Sequence, residues 1–132
     1  MSIEYKVVKH ASPGVKGGGE YKYYPRITNR RTVKMKELCE HIEKMSTCSE
    51  ADVMAVLYTF ISEMPTLLKS NCSIDLEGLG IFSLHASGEG CDTEEEVTAR
   101  KITNTKIAFR PSKRLKTEVS GTKFIKARNI KR

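Results

Sequence analysis

The sequence contains no tryptophan, only 7% aromatic residues and no long uninterrupted hydrophobic run. No segment approaches the roughly 18 uncharged apolar residues that a membrane-spanning helix needs. Residues 1–6 lack the apolar stretch of a secretion signal, so we expect a cytoplasmic protein without a membrane partner. With 39% hydrophobic and 30% charged residues, the 132-residue chain has enough apolar material for one core and too little length for two.

The cysteines and histidines show none of the close spacings that metal sites use. The four cysteines form no CxxC pair, and the three histidines lie far apart along the chain. A zinc site normally includes two ligands about two to four residues apart, so we predict no metal and no cofactor. Scattered thiols in a cytosolic protein are expected to be reduced and structural. These thiols belong to Cys39, Cys48, Cys72 and Cys91.

Patterns of catalytic residues are also missing. His10, His41 and His85 form no recognisable triad with a serine or a cysteine. The acidic run Glu94–Glu96 is typical of a solvated segment rather than of a pair of catalytic carboxylates. We therefore predict a protein that is not an enzyme and has no small-molecule substrate.

Acidic residues are nearly absent from the last quarter of the chain. Residues 100–132 contain 12 Lys and Arg but a single carboxylate, Glu118, whereas residues 1–99 contain 11 basic and 15 acidic side chains. Such a concentration of one sign indicates a polyanionic partner, and nucleic acid is favoured over an anionic membrane. A solvated basic tail without a partner is the alternative.

Two short segments near the N-terminus, residues 3–9 and 21–27, are rich in Tyr, Val and Ile and predict the strands of a hairpin. The glycine-rich segment between them predicts a flexible connection. Pro25 cannot donate a ladder hydrogen bond, so the second segment is expected to be an edge strand or a broken one. Its three tyrosines could stack on bases, but burial in a short strand is the favoured interpretation. They are Tyr21, Tyr23 and Tyr24.

A helical period follows, and we expect Thr32 to cap the first helix. A second helix is predicted from Ser49, with Asp52 three residues later as in a capping motif. The apolar stripe of this second helix is too wide for one small domain to cover, which predicts that a second subunit buries it. The stripe consists of Val53, Val56, Leu57, Phe60, Ile61, Met64, Leu67 and Leu68.

Residues 73–86 leave the helical period and predict two strands around the turn formed by Gly78 and Gly80. These glycines do not form a phosphate-binding loop, because such a loop requires a helix directly behind it and here a strand follows. Residues 87–100 are polar and acidic, which predicts a loop or an arm. A strand then resumes at Lys101.

This last strand separates apolar from charged side chains before it ends at Pro111. Alternation places Ile107 and Phe109 on one face. Ser112 is positioned to cap a short helix after the strand. The residues predicted on the opposite face are Lys106, Ala108 and Arg110.

From residue 32 the predicted order is helix, helix, hairpin, arm, strand and short helix. Three motifs at fitting spacing are specific: the helical pair MKELCEHIEKMSTCSEADVMAVLYTFISEMPTLL, the turn DLEGLGIF and the strand-to-helix segment AFRPSKRLK. On these motifs, residues 33–120 resemble the bacterial histone-like family of HU and integration host factor. The hairpin that precedes them is similar to the extended variants of Bacteroides-type bacteria.

The resemblance implies an α+β fold in which two chains intertwine, with a helical base and a saddle of β-hairpins that carries two arms. Residues 1–31 would form an N-terminal β-hairpin extension, residues 32–121 the HU-like domain with its arm near 87–100, and residues 122–132 a basic C-terminal tail. The residues expected in the core of this dimer are Val53, Val56, Leu57, Phe60, Ile61, Met64, Leu79, Phe82 and Phe109.

The resemblance also implies a homodimeric, nucleoid-associated protein that binds double-stranded DNA with little sequence specificity. Cationic side chains of the saddle would contact phosphates, helped by backbone N–H groups at the start of the last helix. The residues expected at the DNA are Arg100, Lys101, Lys106, Arg110, Ser112, Lys113, Arg114 and Lys116.

The predicted arm departs from the family pattern. Family arms are basic and carry a proline that wedges between base pairs, whereas residues 87–100 contain no proline, so wedge-type bending is not expected. Ser112 also stands where the family usually has glycine. The acidic arm supports an alternative function, a HU-fold scaffold for protein–protein assembly with weak or no DNA binding. The carboxylates of the arm are Glu89, Asp92, Glu94, Glu95 and Glu96.

Overall fold

In a computed structural model that describes residues 1–11 and 19–128, the chain combines three α-helices with two three-stranded sheets. The predicted α+β class is confirmed. The chain divides into two compact units, residues 1–33 with 120–132 and residues 34–119. The elements are β1 (Ile3–Ala11), β2 (Tyr21–Ile27), α1 (Met35–Met45), α2 (Glu50–Lys69), β3 (Ile74–Leu76), β4 (Gly80–Gly88), β5 (Ile102–Pro111), α3 (Lys113–Val119) and β6 (Phe124–Lys126).

The first unit is a sheet with the strand order β2-β1-β6. β1 and β2 pair antiparallel, with Val7 opposite Pro25, so the proline lies in an edge strand of this sheet as predicted. β6 pairs parallel with β1, with Ile3 opposite Phe124. The basic C-terminal segment could add a strand or remain a loose tail, and in the structure its residues Phe124–Lys126 form a strand. The glycine-rich connection predicted between β1 and β2 lies mostly outside the described residues.

The two long helices of the second unit differ in how their N-termini are capped. Lys34 is extended and precedes α1 without a capping hydrogen bond, so the cap predicted at Thr32 is wrong because the chain is not yet helical there. At α2 the predicted cap is confirmed, since Ser49 Oγ accepts a hydrogen bond from the Asp52 backbone N–H at 3.1 Å. Cys39, on the apolar side of α1, is fully buried.

The second sheet has the order β3-β4-β5, and its first turn requires glycine. Gly78 has φ of 79° and Gly80 has φ of 152°, a region that other residues rarely adopt. A Cβ on Gly80 would also lie 2.3 Å from the Arg110 carbonyl oxygen. The predicted tight turn is confirmed, and its backbone lies against the end of β5.

Few side chains are buried within a single chain. Among the described residues, the buried apolar side chains are Cys39, Val53 and Leu68. The accessible surface is 12042 Å². A compact monomer of 14.9 kDa would expose about 7,000 Å². The isolated chain therefore leaves open a large area that a folded protein of this mass normally buries.

Helix α2 is the clearest case of this openness. By length and composition alone it could cross a membrane, with a mean hydropathy of 1.2, although the charged side chain of Glu63 keeps its uncharged runs well below about 18 residues. Only 11% of its apolar window is buried within the chain. Because core helices of soluble proteins pass the same test, the feature to be explained is an apolar helix whose own chain does not cover it.

Candidate functional site

The hairpin of β4 and β5 carries different chemistry on its two faces. The register pairs Ile81 with Arg110 and His85 with Lys106, which places both cations on one face, called here the cationic face. Lys106 and Arg110 are exposed. The separation predicted from the alternation of β5 is confirmed by this register.

The opposite face of the hairpin is apolar. Phe82 pairs with Phe109, and their ring centroids lie 4.8 Å apart. Leu84 pairs with Ile107 on the same face, and these two side chains remain 41% and 61% exposed. The apolar face is therefore only partly covered by its own chain.

Ser112 joins the end of β5, the glycine turn and the start of α3. Its hydroxyl donates a hydrogen bond to the Gly78 carbonyl oxygen at 2.9 Å and accepts one from the Leu115 backbone N–H at 3.0 Å. Its own N–H donates to the Leu79 carbonyl oxygen at 2.9 Å. The predicted cap is confirmed, and the same side chain also fixes the turn against α3.

We expect Ser112→Ala to lower the free energy of unfolding by about 1–2 kcal/mol, because it removes a helix cap and leaves the part-buried Gly78 carbonyl oxygen without this donor. Chemical denaturation with circular dichroism measures the change. Ser62→Ala, at an exposed position of α2, is the matched control and should change stability little. Equal effects of the two substitutions would contradict the role assigned to Ser112.

Three of the predicted cations lie on α3 itself. Arg114 passes over the turn, since a Cβ on Gly78 would lie 3.3 Å from a guanidinium nitrogen, and its Nε is 3.2 Å from the Glu118 carboxylate. Backbone N–H groups at the start of α3 are partly used within the protein, because those of Leu115 and Lys116 bind Ser112. The cationic side chains that α3 itself carries are Lys113, Arg114 and Lys116.

Arg100 and Lys101 lie apart from the other predicted cations. They belong to a short 3₁₀ helix, Ala99–Lys101, just before β5. Lys101 precedes Arg110 by nine positions, which corresponds to about 30 Å along an extended chain. The structure thus places the predicted DNA-binding residues at two ends of one hairpin, with Lys106 between them.

The segment between β4 and β5, predicted as an arm, contains a second short 3₁₀ helix, Glu94–Glu96. These three carboxylates and those of Glu89 and Asp92 are exposed. These carboxylates precede Arg100 and Lys101 closely along the chain. Their negative charge makes that end of the hairpin less attractive to a phosphate than the end near Arg110.

The charges divide unevenly between the two structural units. Residues 34–119 carry 11 basic and 14 acidic side chains, a net charge of −3. Residues 1–33 with 120–132 carry 12 basic and two acidic side chains, a net charge of +10. The cationic face is therefore a local feature of an acidic unit, and the net positive charge of the chain comes entirely from the other unit.

The residues expected in a dimer core are only partly covered in one chain. Val53 is 7% exposed and is the buried one among them. Leu57, Phe60, Met64 and Phe82 are half-buried. The exposed ones are Val56 at 68%, Ile61 at 48%, Leu79 at 41% and Phe109 at 42%.

The tyrosines of β2 are exposed, which corrects the interpretation that a short strand buries them. Tyr21, Tyr23 and Tyr24 are 62%, 69% and 37% exposed. The described residues of this unit form a three-stranded sheet, and none of them builds a second layer over either face of β2. The sequence allows two interpretations of these tyrosines, burial in the strand or stacking on bases, and their exposure favours the second.

Among the described residues, no three His, Cys, Asp or Glu side chains are grouped closely enough to hold a metal ion. The four cysteines are free thiols. The candidate site is therefore described by the cationic face and the apolar face of the β4–β5 hairpin.

Comparison with solved structures places the fold in a known class. The chain is similar to a supposed bacterial DNA-binding protein from Bacteroides vulgatus ATCC 8482, with a TM-score of 0.63 and 10% sequence identity. The similarity covers 96% of this chain and 49% of that one, so this chain spans about half the length of the protein it matches. At this identity the likeness concerns the fold.

Comparison with family models then gives the family. The model of the HU-HIG family, described as an HU domain fused to wHTH, Ig or glycine-rich motifs, matches residues 1–126. The chain belongs to this family, and the resemblance to HU is confirmed. The matched residues include the N-terminal hairpin formed by β1 and β2. A comparison with curated proteins gives no match.

Proposed function

We propose that two copies of this chain form a homodimer that binds double-stranded DNA, with little sequence preference, through the cationic faces of their hairpins. The observation that carries the proposal is the separation of Lys106 and Arg110 from Phe82 and Phe109 across the two faces of one hairpin. One face can meet phosphates while the other packs against protein. A protein of this kind would act in the cytoplasm, with the nucleoid.

The open apolar surface supports the dimer. The chain exposes about 5,000 Å² more than a compact monomer of its mass. Obligate dimers bury about 2,000–5,000 Å² in total, which is about 1,000–2,500 Å² from each chain, so such an interface accounts for at most about half of this excess. Helix α2 also has an open depression lined by Ala55, Val56, Thr59 and Phe60, which can receive side chains of a second copy.

The distribution of cations supports binding to the backbone of a duplex. On the cationic face, Lys106 and Arg110 lie four residues apart, about 13 Å along the strand, and the cations of α3 follow directly after β5. Lys and Arg side chains spread along an exposed strand can contact successive phosphates, and phosphate contacts carry no direct sequence information. The binding is therefore expected to be largely independent of sequence.

The affinity of the protein for duplex DNA should fall steeply with salt. Each neutralised phosphate contributes a slope of about −0.9 to a plot of log affinity against log salt, and five to ten contacts from a dimer give at least about −4. Fluorescence anisotropy with two unrelated duplexes of equal length measures both the slope and the sequence preference. A flat salt dependence, or no duplex binding at about 50 mM salt, would contradict the proposal.

Protein–protein assembly is a second candidate function, favoured by the acidic segment before β5. Its five carboxylates are exposed, and the unit that carries them has a net charge of −3. Carboxylates beside a duplex are repelled, whereas a basic protein surface would attract them. A dimer that forms normally but binds no duplex in the titration above would favour this function over DNA binding.

A further inference from the structure

The unit formed by residues 1–33 and 120–132 has no role in the proposed duplex site, yet all of the chain's net positive charge comes from it. Its net charge of +10 comes from 12 basic and two acidic side chains. A charge of this density attracts a polyanion. The question is whether this unit also has the means to recognise one.

One face of its sheet presents exposed aromatic rings beside lysines. The register places Tyr23 opposite Lys9 and Tyr21 opposite Ala11, so the two rings share a face with Lys9. The Lys9 ammonium nitrogen lies 5.3 Å from the centroid of the Tyr21 ring and 5.9 Å from that of the Tyr23 ring. Both rings are more than half exposed, at 62% and 69%.

The same face continues across the sheet to β6. Phe124, 56% exposed, pairs with Ile3, and Lys126 pairs with Tyr5. An open depression of this unit is lined by Tyr5, Pro25, Arg26, Ile27 and Phe124. We call this surface, defined by Tyr21, Tyr23, Phe124, Lys9 and Lys126, the aromatic face.

We propose that the aromatic face binds an unpaired segment of nucleic acid, with bases stacked on Tyr21 and Tyr23 and phosphates held by Lys9 and the other cations of the unit. Exposed rings beside cations on a sheet are the arrangement that single-strand binding uses, because every base offers a flat face. A paired base is already stacked inside its duplex and is not available to a ring on a sheet. A cationic surface for duplex phosphates alone would not need exposed rings.

This inference is independent of duplex binding by residues 34–119, and the two can fail separately. The full-length chain with Tyr21→Ala and Tyr23→Ala should bind a short oligothymidylate, about 12 nucleotides long, at least about 30-fold more weakly. Its affinity for duplex DNA should stay within about twofold, because the cationic face is unchanged. Tyr21→Phe with Tyr23→Phe keeps both rings and should restore single-strand binding.

Tyr24→Ala is the matched control. Tyr24 lies on the same strand but on the opposite face, opposite Val8, so its substitution should leave the oligothymidylate affinity nearly unchanged. An abasic oligomer of the same length should bind the unaltered protein about as weakly as oligothymidylate binds the double alanine variant. Circular dichroism checks that each variant is folded.

A photo-crosslinking experiment tests the site without any substitution. The unaltered chain irradiated with iodouracil-containing oligonucleotide should crosslink at Tyr21 or Tyr23. The proposal is overturned if crosslinks fall only within residues 34–119, if the alanine variants bind the oligonucleotide normally, or if Tyr24→Ala is equally damaging. It is also overturned if abasic and base-containing oligomers bind alike, or if anionic lipid vesicles bind through these tyrosines and the oligonucleotide does not.

Discussion

A single carboxylate at Val56 should convert the protein from a dimer to a monomer. Val56 is 68% exposed in one chain, so an aspartate there is solvated and harmless in the monomer. In a two-fold symmetric dimer that covers α2, the substitution places two unpaired charges in an apolar interface. The cost of one buried unpaired charge is at least about 3 kcal/mol, which weakens dimerisation by about 150-fold or more.

Light scattering after size exclusion measures this effect directly. The unaltered chain should have twice the 14.9 kDa mass of one chain, and Val56→Asp should approach the single mass. Ser62→Asp is the matched control, because Ser62 is exposed on the same helix about 180° away from Val53 on the helical wheel. A dimer that tolerates Val56→Asp as well as Ser62→Asp would show that α2 is not the interface.

Charge reversal on the cationic face should nearly abolish duplex binding. Lys106→Glu with Arg110→Glu replaces two phosphate contacts by two repulsions in each chain, hence four of each in a dimer. Each lost contact reduces the salt slope by about 0.9, and we expect the affinity at low salt to fall by at least about 100-fold. Because both residues lie on an exposed face of the sheet, the fold should be retained.

The control for this variant must change the net charge by the same amount elsewhere. Lys36→Glu with Lys44→Glu does so on α1, within the same structural unit. If binding depends on the cationic face, the control variant should lose much less affinity than the variant of β5. Equal losses would mean that total charge, rather than the position of Lys106 and Arg110, determines binding.

Local patterns predicted much of the second unit. The Ser49 cap, the glycine turn and the Ser112 cap all depend on residues a few positions apart, and the structure confirms each of them. The alternation along β5 also predicted which side chains share a face, because the period of a strand is two residues wherever the strand lies. These features need no knowledge of distant contacts.

The features that the sequence did not predict depend on distant contacts or on what covers a surface. The sequence leaves a strand and a loose tail both open at β6, because these three residues form a strand by pairing with β1, more than 100 residues away along the chain. Exposure of the β2 tyrosines depends on which layers pack on the sheet, and composition alone favoured burial. The division of charge into units of +10 and −3 follows from the two chain ends joining one sheet.

The proposed dimeric duplex-binding protein is tested most directly by the mass of its complex with a short duplex. Light scattering of the unaltered chain mixed with duplex of about one helical turn should give two chains per duplex, and the free protein should already be a dimer. A complex of one chain per duplex, from a protein that is monomeric when free, would contradict the account.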